Sequence, residues 1–340
     1  MIKDAIAAIL RGTLLTADEA EAAIDEVMQG QATPAQIAGF AVALAFRGES
    51  AAELAGCARS MRRHATAVPV ARPDAIDNCG TGGDGLATFN ISTTAAFVAA
   101  GAGCAVAKHG NRAASSRCGS AEVLEALGVR LDLPPAATGR AVDEIGIGFL
   151  YAPLLHGALR HAAAPRKELG VRTVFNLLGP LANPAGVRRQ VIGVARPEHV
   201  RLVAEALREL GSEHAFVLHG AGGADELTLA GDNIVCEVKA GELREMTLNA
   251  QELGLAAAPI AALAGGEAPE NAAITRSVLR GETGPRRDVV LLNAAAAIYV
   301  GALAPDLKGA LRLAEESIDS GRAADRLDQL IAFAQQEMAG

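Results

Sequence analysis

The chain has 340 residues, half of them hydrophobic, with only 3 % aromatics and no Trp. That length suits one large or two modest domains, with Ala, Leu, Val and Gly filling the interior. A net charge of −8 excludes a broadly basic nucleic-acid face, though not a local basic pocket. The five cysteines (Cys57, Cys79, Cys104, Cys118 and Cys236) are odd in number and form no CxxC pair, which argues against a disulfide framework and fits a reducing cytoplasm.

The N-terminal MIKDAIAAILRG carries Asp4 and lacks a signal-peptide cleavage pattern. Four short helices are expected within about residues 2–65. Thr16 with Glu19, Thr33 with Gln36, and Ser50 with Glu53 have capping-box spacing. Pro34 sits at the favoured first helical position, and Gly12, Gly30 and Gly48 stand where helices would end. Nothing in this segment carries chemistry, so its role reads as structural: a lid, a hinge or a dimer surface.

From about residue 75 short apolar runs at 75–79, 104–108, 147–152, 191–195 and 214–220 alternate with helical segments at 93–101, 120–127, 135–145 and 198–210. This alternation predicts a mostly parallel sheet covered by helices. The residues between Asp84 and Lys108 carry no charge, a length that would span a membrane. Gly85, Asn90, Ser92, Thr93, Thr94, Gly101 and Gly103 interrupt that stretch, so a buried helix and a buried strand are the better reading. Residues 226–250 read as strands with turns at Gly231-Asp232 and Ala240-Gly241, and 269–281, 286–303 and 307–338 as closing helices. The fold class is α/β: a small helical N-terminal domain (1–70, joined by helices from about 160–185) and a larger α/β domain (75–340).

The chemistry gathers where strands should end. GTGGDG (80–85) follows the first run, KHGNRAASS (108–116) the second and HGAGGADE (219–226) the last. Ligands bind beyond the carboxyl ends of parallel strands, and glycine-rich turns let backbone N–H groups surround an anion. GTGGDG is neither a Walker loop nor a GxGxxG fingerprint in register, and a tight strand-to-helix turn explains its glycines nearly as well. Ser92 or Thr93 would simply cap the next helix, a reading compatible with sharing that N-terminus with a phosphate. Lys108, His109 and Arg112, set among small polar residues after a buried strand, favour a phosphate clamp. Asp225 and Glu226 at a turn are ordinarily solvated charge. Beside phosphate loops they suit Mg²⁺, which takes one or two carboxylates plus phosphates and water. Arg166 or Arg172 offers a guanidinium for a substrate carboxylate, and no GxSxG-type nucleophile is present.

These strings, with TFNIST (88–93), GSAEVLEALGV (119–129) and RKELGVRTVFNLLGPLANP (166–184), resemble the anthranilate phosphoribosyltransferase family in order and spacing, over essentially the whole chain. The resemblance implies transfer of ribose 5-phosphate from phosphoribosyl pyrophosphate to anthranilate, with Mg²⁺, in tryptophan biosynthesis. It implies a cytoplasmic homodimer joined through the helical part, with no nucleic-acid or membrane partner. By position, Gly80, Gly83, Asp84, Thr88, Asn90, Ile91, Ser92 and Thr93 would line the phosphoribosyl pyrophosphate site. Lys108, His109, Gly110, Asn111, Arg112, Ala113, Ala114, Ser115, Ser116 and Ser120 would complete it. Ser92, Asp225 and Glu226 would hold Mg²⁺. Gly80, Asn111 and Arg166 would contact anthranilate, with Arg166 facing its carboxylate. Lys108, Asp225 and Glu226 are the expected catalytic groups. Asn78-Cys79, Glu122, Gly157 and Ala224 depart mildly from the family pattern, and Gly157 and Ala224 leave substrate entry and local loop shape open. A pyrimidine nucleoside phosphorylase shares the architecture but carries KHS-type motifs. A non-catalytic nucleic-acid-binding homologue would be expected to lose the acidic pair.

Overall fold

The structure, a computed structural model, describes residues 1–113 and 117–339. The chain opens with α1 (Ile2–Leu10), α2 (Ala17–Met28), α3 (Pro34–Arg47) and α4 (Ala51–His64). All three capping boxes form, and each starts the helix whose spacing announced it. Gly48 ends α3 at φ 90°, a conformation that side chains resist. In this bundle α2 lies against α4 and α1 against α3. Glu53 does more than close its capping box. Fully buried, it accepts N–H groups from Leu15 (2.8 Å) and Ser50 (2.9 Å) and pairs with Arg47.

The alternating region follows as β1 (Ile76–Asp77), α5 (Ile91–Gly101), β2 (Val106–Gly110), α6 (Ser120–Leu127), α7 (Pro135–Ile145) and β3 (Ile147–Tyr151). Next come α8 (Ala152–Leu155), α9 (Arg160–Leu169), α10 (Val174–Leu181), β4 (Arg189–Gly193), α11 (Glu198–Glu209) and β5 (His214–His219). The hairpin β6 (Asp232–Lys239) and β7 (Glu242–Asn249) precedes α12 (Ala268–Leu279), α13 (Pro285–Val300), α14 (Leu307–Asp319) and α15 (Arg322–Ala339). The uncharged stretch forms α5 and β2, and no helix of the described residues is long and apolar enough to cross a membrane. The expected helix 307–338 is two helices, because Gly321 turns the chain at φ +82° between them. The first strand stops at Asp77. There the Asp77 carboxylate accepts the His109 N–H (3.1 Å), so a side chain takes over from the backbone ladder.

The seven strands run in the order β3-β2-β1-β4-β5-β6-β7, parallel through β5 and antiparallel beyond. Successive residues face opposite ways. Val191, Phe216, Leu218 and Val235 enter one core with α5 and the C-terminal helices. Ile192, Ala215, Val217 and Cys236 enter the other, with α11 and the N-terminal bundle. The strand order reverses direction at β1 and β4, whose carboxyl ends therefore flank a crevice.

Candidate active site

Glycines open the crevice for the acidic segment. A Cβ on Gly193, the last residue of β4, would stand 1.6 Å from the Asp225 carbonyl oxygen. One on Gly220, just past β5, would stand 1.9 Å from the Glu226 carbonyl, and one on Gly80 would stand 2.5 Å from Asp225 Oδ2. Residues 224–226 thus lie directly on the strand ends, which any side chain there would forbid. The GTGGDG loop is tied down beside them. Thr81 N–H donates to Gly193 O (2.8 Å), Ala195 N–H to Thr81 Oγ1 (3.3 Å), and Gly82 N–H to Asp225 Oδ2 (2.6 Å). Asp84 accepts from Leu86 N–H (3.0 Å), a local turn that also brings its other oxygen 3.5 Å from Asp225 N.

Glu226 meets the start of α5. Its Oε1 accepts the Ser92 N–H (3.1 Å), and the Ser92 hydroxyl bonds the same carboxylate. Contrary to the expectation from sequence, neither Ser92 nor Thr93 caps the helix. Asn90 holds that position, but its side chain turns to Cys118 O (3.2 Å) and Asn271 (2.9 Å) instead of the helix. A carboxylate from residue 226 therefore occupies a helix N-terminus that a local hydroxyl would otherwise have taken.

Burial raises the pKa of both Asp225 and Glu226, their mutual repulsion raising Asp225 further. The Lys108 ammonium opposes the shift at Glu226. Lys108 Nζ is held by Asn78 through its carbonyl (2.9 Å) and Oδ1 (3.3 Å), while Asn78 Nδ2 donates to Ser92 O (2.8 Å). Asn78, Gly80, Ser92, Asp225, Glu226 and Asn293 help line a cavity of about 10 Å³, the volume of one water or small ion. Two half-buried carboxylates and a hydroxyl around such a cavity form a hard, anionic oxygen set, which fits Mg²⁺. A second cluster among the described residues, Asp77, Cys79 and His109, suits a metal poorly. The Asp77 oxygens already accept from His109 N and Asn183 Nδ2 (2.8 Å), and burial pushes the Cys79 thiol well above its ordinary pKa.

The KHGNR string splits between two environments. Lys108 points to the crevice. His109 is buried against His156, with Nε2 atoms 3.2 Å apart and His109 Nδ1 3.1 Å from Gly179 O. A carbonyl can only accept, so His109 carries its proton on Nδ1, and His156 donates from Nε2 to His109 Nε2. Arg112 turns away to a bidentate pair with Glu125 (2.7 and 2.8 Å) and to the Tyr151 hydroxyl (2.9 Å). Asn111 O accepts from Ser120 Oγ (3.1 Å), Gly110 is packed between Ser120 and Phe149, and Ala113 N–H donates to Glu122 (3.2 Å). Thr88 bridges to Ala264, and the buried side chains of Ile91 and Thr93 leave only their backbone for a ligand. Ala114, Ser115 and Ser116 lie outside the described residues.

The two arginines around ELG part company. Arg166 is half-buried over the Phe175 ring (5.4 Å), burial lowers its pKa, and no carboxylate pairs with it among the described residues. Arg172 reaches the glycine loop. Its Nη2 lies 3.5 Å from Thr81 O, and a Cβ on Gly83 would stand 1.6 Å from Nη1. The structure therefore brings together Gly80, Gly83, Asp84, Ser92, Lys108, Asp225 and Glu226 of the residues expected from sequence, and of the two candidate arginines it sets Arg172 at the glycine loop. Sequence reasoning missed Asn78 and Asn293 as site residues. Asn293, a single amide in the apolar run between Asp288 and Tyr299, gave no signal.

Two family models cover the chain: the glycosyl transferase family helical bundle domain over residues 3–65 and its a/b domain over 72–324. An anthranilate phosphoribosyltransferase of Moorella thermoacetica is 53 % identical over 333 residues, covering 98 % of each chain. One from Chloroflexus aggregans is 54 % identical over 338 residues, covering 99 % of each. Among solved structures, the anthranilate phosphoribosyltransferase of Thermus thermophilus superposes with a TM-score of 0.93 at 49 % identity, over 98 % of this chain and 99 % of that one. The Saccharomyces cerevisiae enzyme in complex with phosphoribosyl pyrophosphate and Mg superposes with a TM-score of 0.89 at 28 % identity, over 98 % of each chain. With that identity over nearly its full length, on the same architecture, this chain belongs to the anthranilate phosphoribosyltransferase family.

Proposed function

We propose that this crevice transfers the 5-phosphoribosyl group from phosphoribosyl pyrophosphate to the amine of anthranilate, releasing pyrophosphate and N-(5-phosphoribosyl)anthranilate. The carrying observation is the meeting of Asp225 and Glu226 with the GTGGDG loop, the start of α5 and Lys108. Ser92, Asp225 and Glu226 are the residues that would hold Mg²⁺, which when bound supplies positive charge for a pyrophosphate.

The amine of anthranilate is weakly basic, so its lone pair is free at neutral pH and needs no strong base. As its nitrogen bonds to ribose C1, the bond to the pyrophosphate oxygen breaks and the amine gives up a proton. The protein's work is to orient and to stabilise charge. Lys108 donates to Asn78 and keeps its ammonium beside Glu226, where it can also meet a phosphate oxygen. Backbone N–H groups of the glycine loop serve the same anion. Arg166, whose guanidinium has no carboxylate partner among the described residues, would take the carboxylate of anthranilate and so aim the amine at C1. Arg112 enters the site only by leaving Glu125, so its place at phosphate requires exchange of one anion for another.

The test is turnover of anthranilate with phosphoribosyl pyrophosphate and Mg²⁺, read as loss of anthranilate fluorescence. Phosphorolysis of pyrimidine nucleosides with no loss of anthranilate fluorescence would refute the assignment. The molecule as a homodimer is part of the same proposal. Leu10 on α1, Leu14 in the connection to α2, and Val42 and Phe46 on α3 project apolar side chains into solvent, Phe46 with 93 % of its surface exposed, and a second copy of the same bundle is the partner we assign to them.

A further inference from the structure

Along α13, between Asp288 and Tyr299, Asn293 interrupts an otherwise apolar run, and it is 4 % exposed. A buried amide is costly unless its polar atoms find partners. Here they do. Oδ1 accepts the Leu227 N–H (3.1 Å), while Nδ2 donates to Leu227 O (2.9 Å) and to Val289 O (2.8 Å) in its own helix. The bond to Val289 fixes the side chain on α13. The other two bonds grip both polar groups of one residue, the residue directly after Glu226. Leu227 itself is fully buried, so this point of the chain is held by packing and by hydrogen bonds together. Upstream, Asp225 and Glu226 lie on Gly193 and Gly220 with no room to slide.

We propose that Asn293 is a positioning residue for the metal-holding carboxylates. Its amide sets the direction in which the chain leaves Glu226, and with it the aim of Asp225 and Glu226 into the small cavity that all three line. The role assigned to Asn293 is positioning and not ligation: its three hydrogen bonds all go to backbone groups, two of them to Leu227. The inference rests on the reading of Asp225 and Glu226 as the Mg²⁺ site. Residues behind metal ligands typically tune metal affinity without touching the ion.

The experiment uses Mn²⁺ as a paramagnetic probe, titrated into the full-length protein with and without phosphoribosyl pyrophosphate and followed by water-proton relaxation. Asn293→Leu keeps the approximate volume, adds no charge and removes all three bonds. Asn293→Ala removes the bonds and the volume together. Each is expected to weaken Mn²⁺ binding by about 10- to 100-fold with both carboxylates intact, and to leave KM for anthranilate within about twofold of the parent. Glu237→Gln, at the far end of β6, supplies a comparison whose Mn²⁺ affinity stays at the parent value. If Asp225→Asn with Glu226→Gln loses Mn²⁺ while a folded Asn293→Leu binds it like the parent, Asn293 is structural only and the proposal falls alone. If the double carboxylate variant still binds Mn²⁺ like the parent, the metal assignment falls and takes this inference with it. Should Asn293→Ala unfold, Asn293→Leu decides the matter.

Discussion

Arg166 is the residue on which substrate choice turns. Its guanidinium is partly desolvated over Phe175, with no carboxylate among the described residues to neutralise it. A charge left in that condition favours an incoming anion, and a planar fork matches a carboxylate. An ionic hydrogen bond of this kind contributes about 1.5–3 kcal/mol, so Arg166→Ala should raise KM for anthranilate by about 10- to 100-fold. KM for phosphoribosyl pyrophosphate should change far less. Steady-state kinetics with each substrate varied in turn checks this, and a loss confined to phosphoribosyl pyrophosphate would reassign the residue. The neighbouring Arg172 shows why type and spacing alone leave such a choice open. Both arginines flank ELG, yet only Arg172 reaches the glycine loop. Arg166 leaves from within α9 and lies over Phe175, whereas Arg172 leaves from the turn that follows, so the same type of side chain is sent to two different places.

At the scale of elements, two joints carry testable energetics. Glu53 closes the capping box of α4 and neutralises Arg47 while wholly buried. Burial by itself would raise its pKa, but Arg47 and the N–H groups of Leu15 and Ser50 outweigh burial and hold it below the ordinary value. Removing one member of such a pair strands the other, so Glu53→Ala should cost about 3–5 kcal/mol in urea unfolding. A loss under about 1 kcal/mol would show the joint to be energetically idle. The second joint is the contact of β2 with the segment after β3, where burial lowers His109 to about 3 and His156 to about 4. Both rings are neutral when folded, whereas the unfolded chain gains protons from about pH 6.5 downward. The stability they contribute is therefore present at neutral pH and lost as pH falls toward 4. His156→Gln should narrow the drop in melting temperature between about pH 7.5 and about pH 5. An unchanged drop would mean that other groups set the acid limit. The capping boxes were readable because their partners are three residues apart. The histidine pair was not, because its partners are 47 residues apart and meet only across β2 and β3.

For the whole molecule, the exposed row on α1 and α3 bears on assembly. Val42 and Phe46 are four residues apart and so share a helix face. Phe46→Glu should convert a dimer to a monomer, measured by light scattering after gel filtration. A parent that is already monomeric at micromolar concentration would remove the dimer from the proposed function. The two halves of the molecule are also unequal in what they reveal. The N-terminal bundle is legible almost to the residue, since helix starts are local events. The site is assembled from GTGGDG, the α5 start, Lys108 and Asp225-Glu226, and the span from Gly82 to Asp225 is 143 residues.

The sequence by itself determined the alternation of strands and helices, their caps and turns, and the polar strings that must stand at strand ends. Those depend on neighbours within a few positions: hydroxyl caps, glycine turns and the two- and 3.6-residue periods. Only the tertiary structure decided that Glu226, not a local hydroxyl, meets the start of α5. It also turned Arg112 toward Glu125 and brought Asn293 from a distant helix to hold the acidic segment. Each of these is a contest between partners for one buried donor or charge. The winner is chosen by which groups the packed sheet brings within hydrogen-bond reach, a distance that no local spacing encodes.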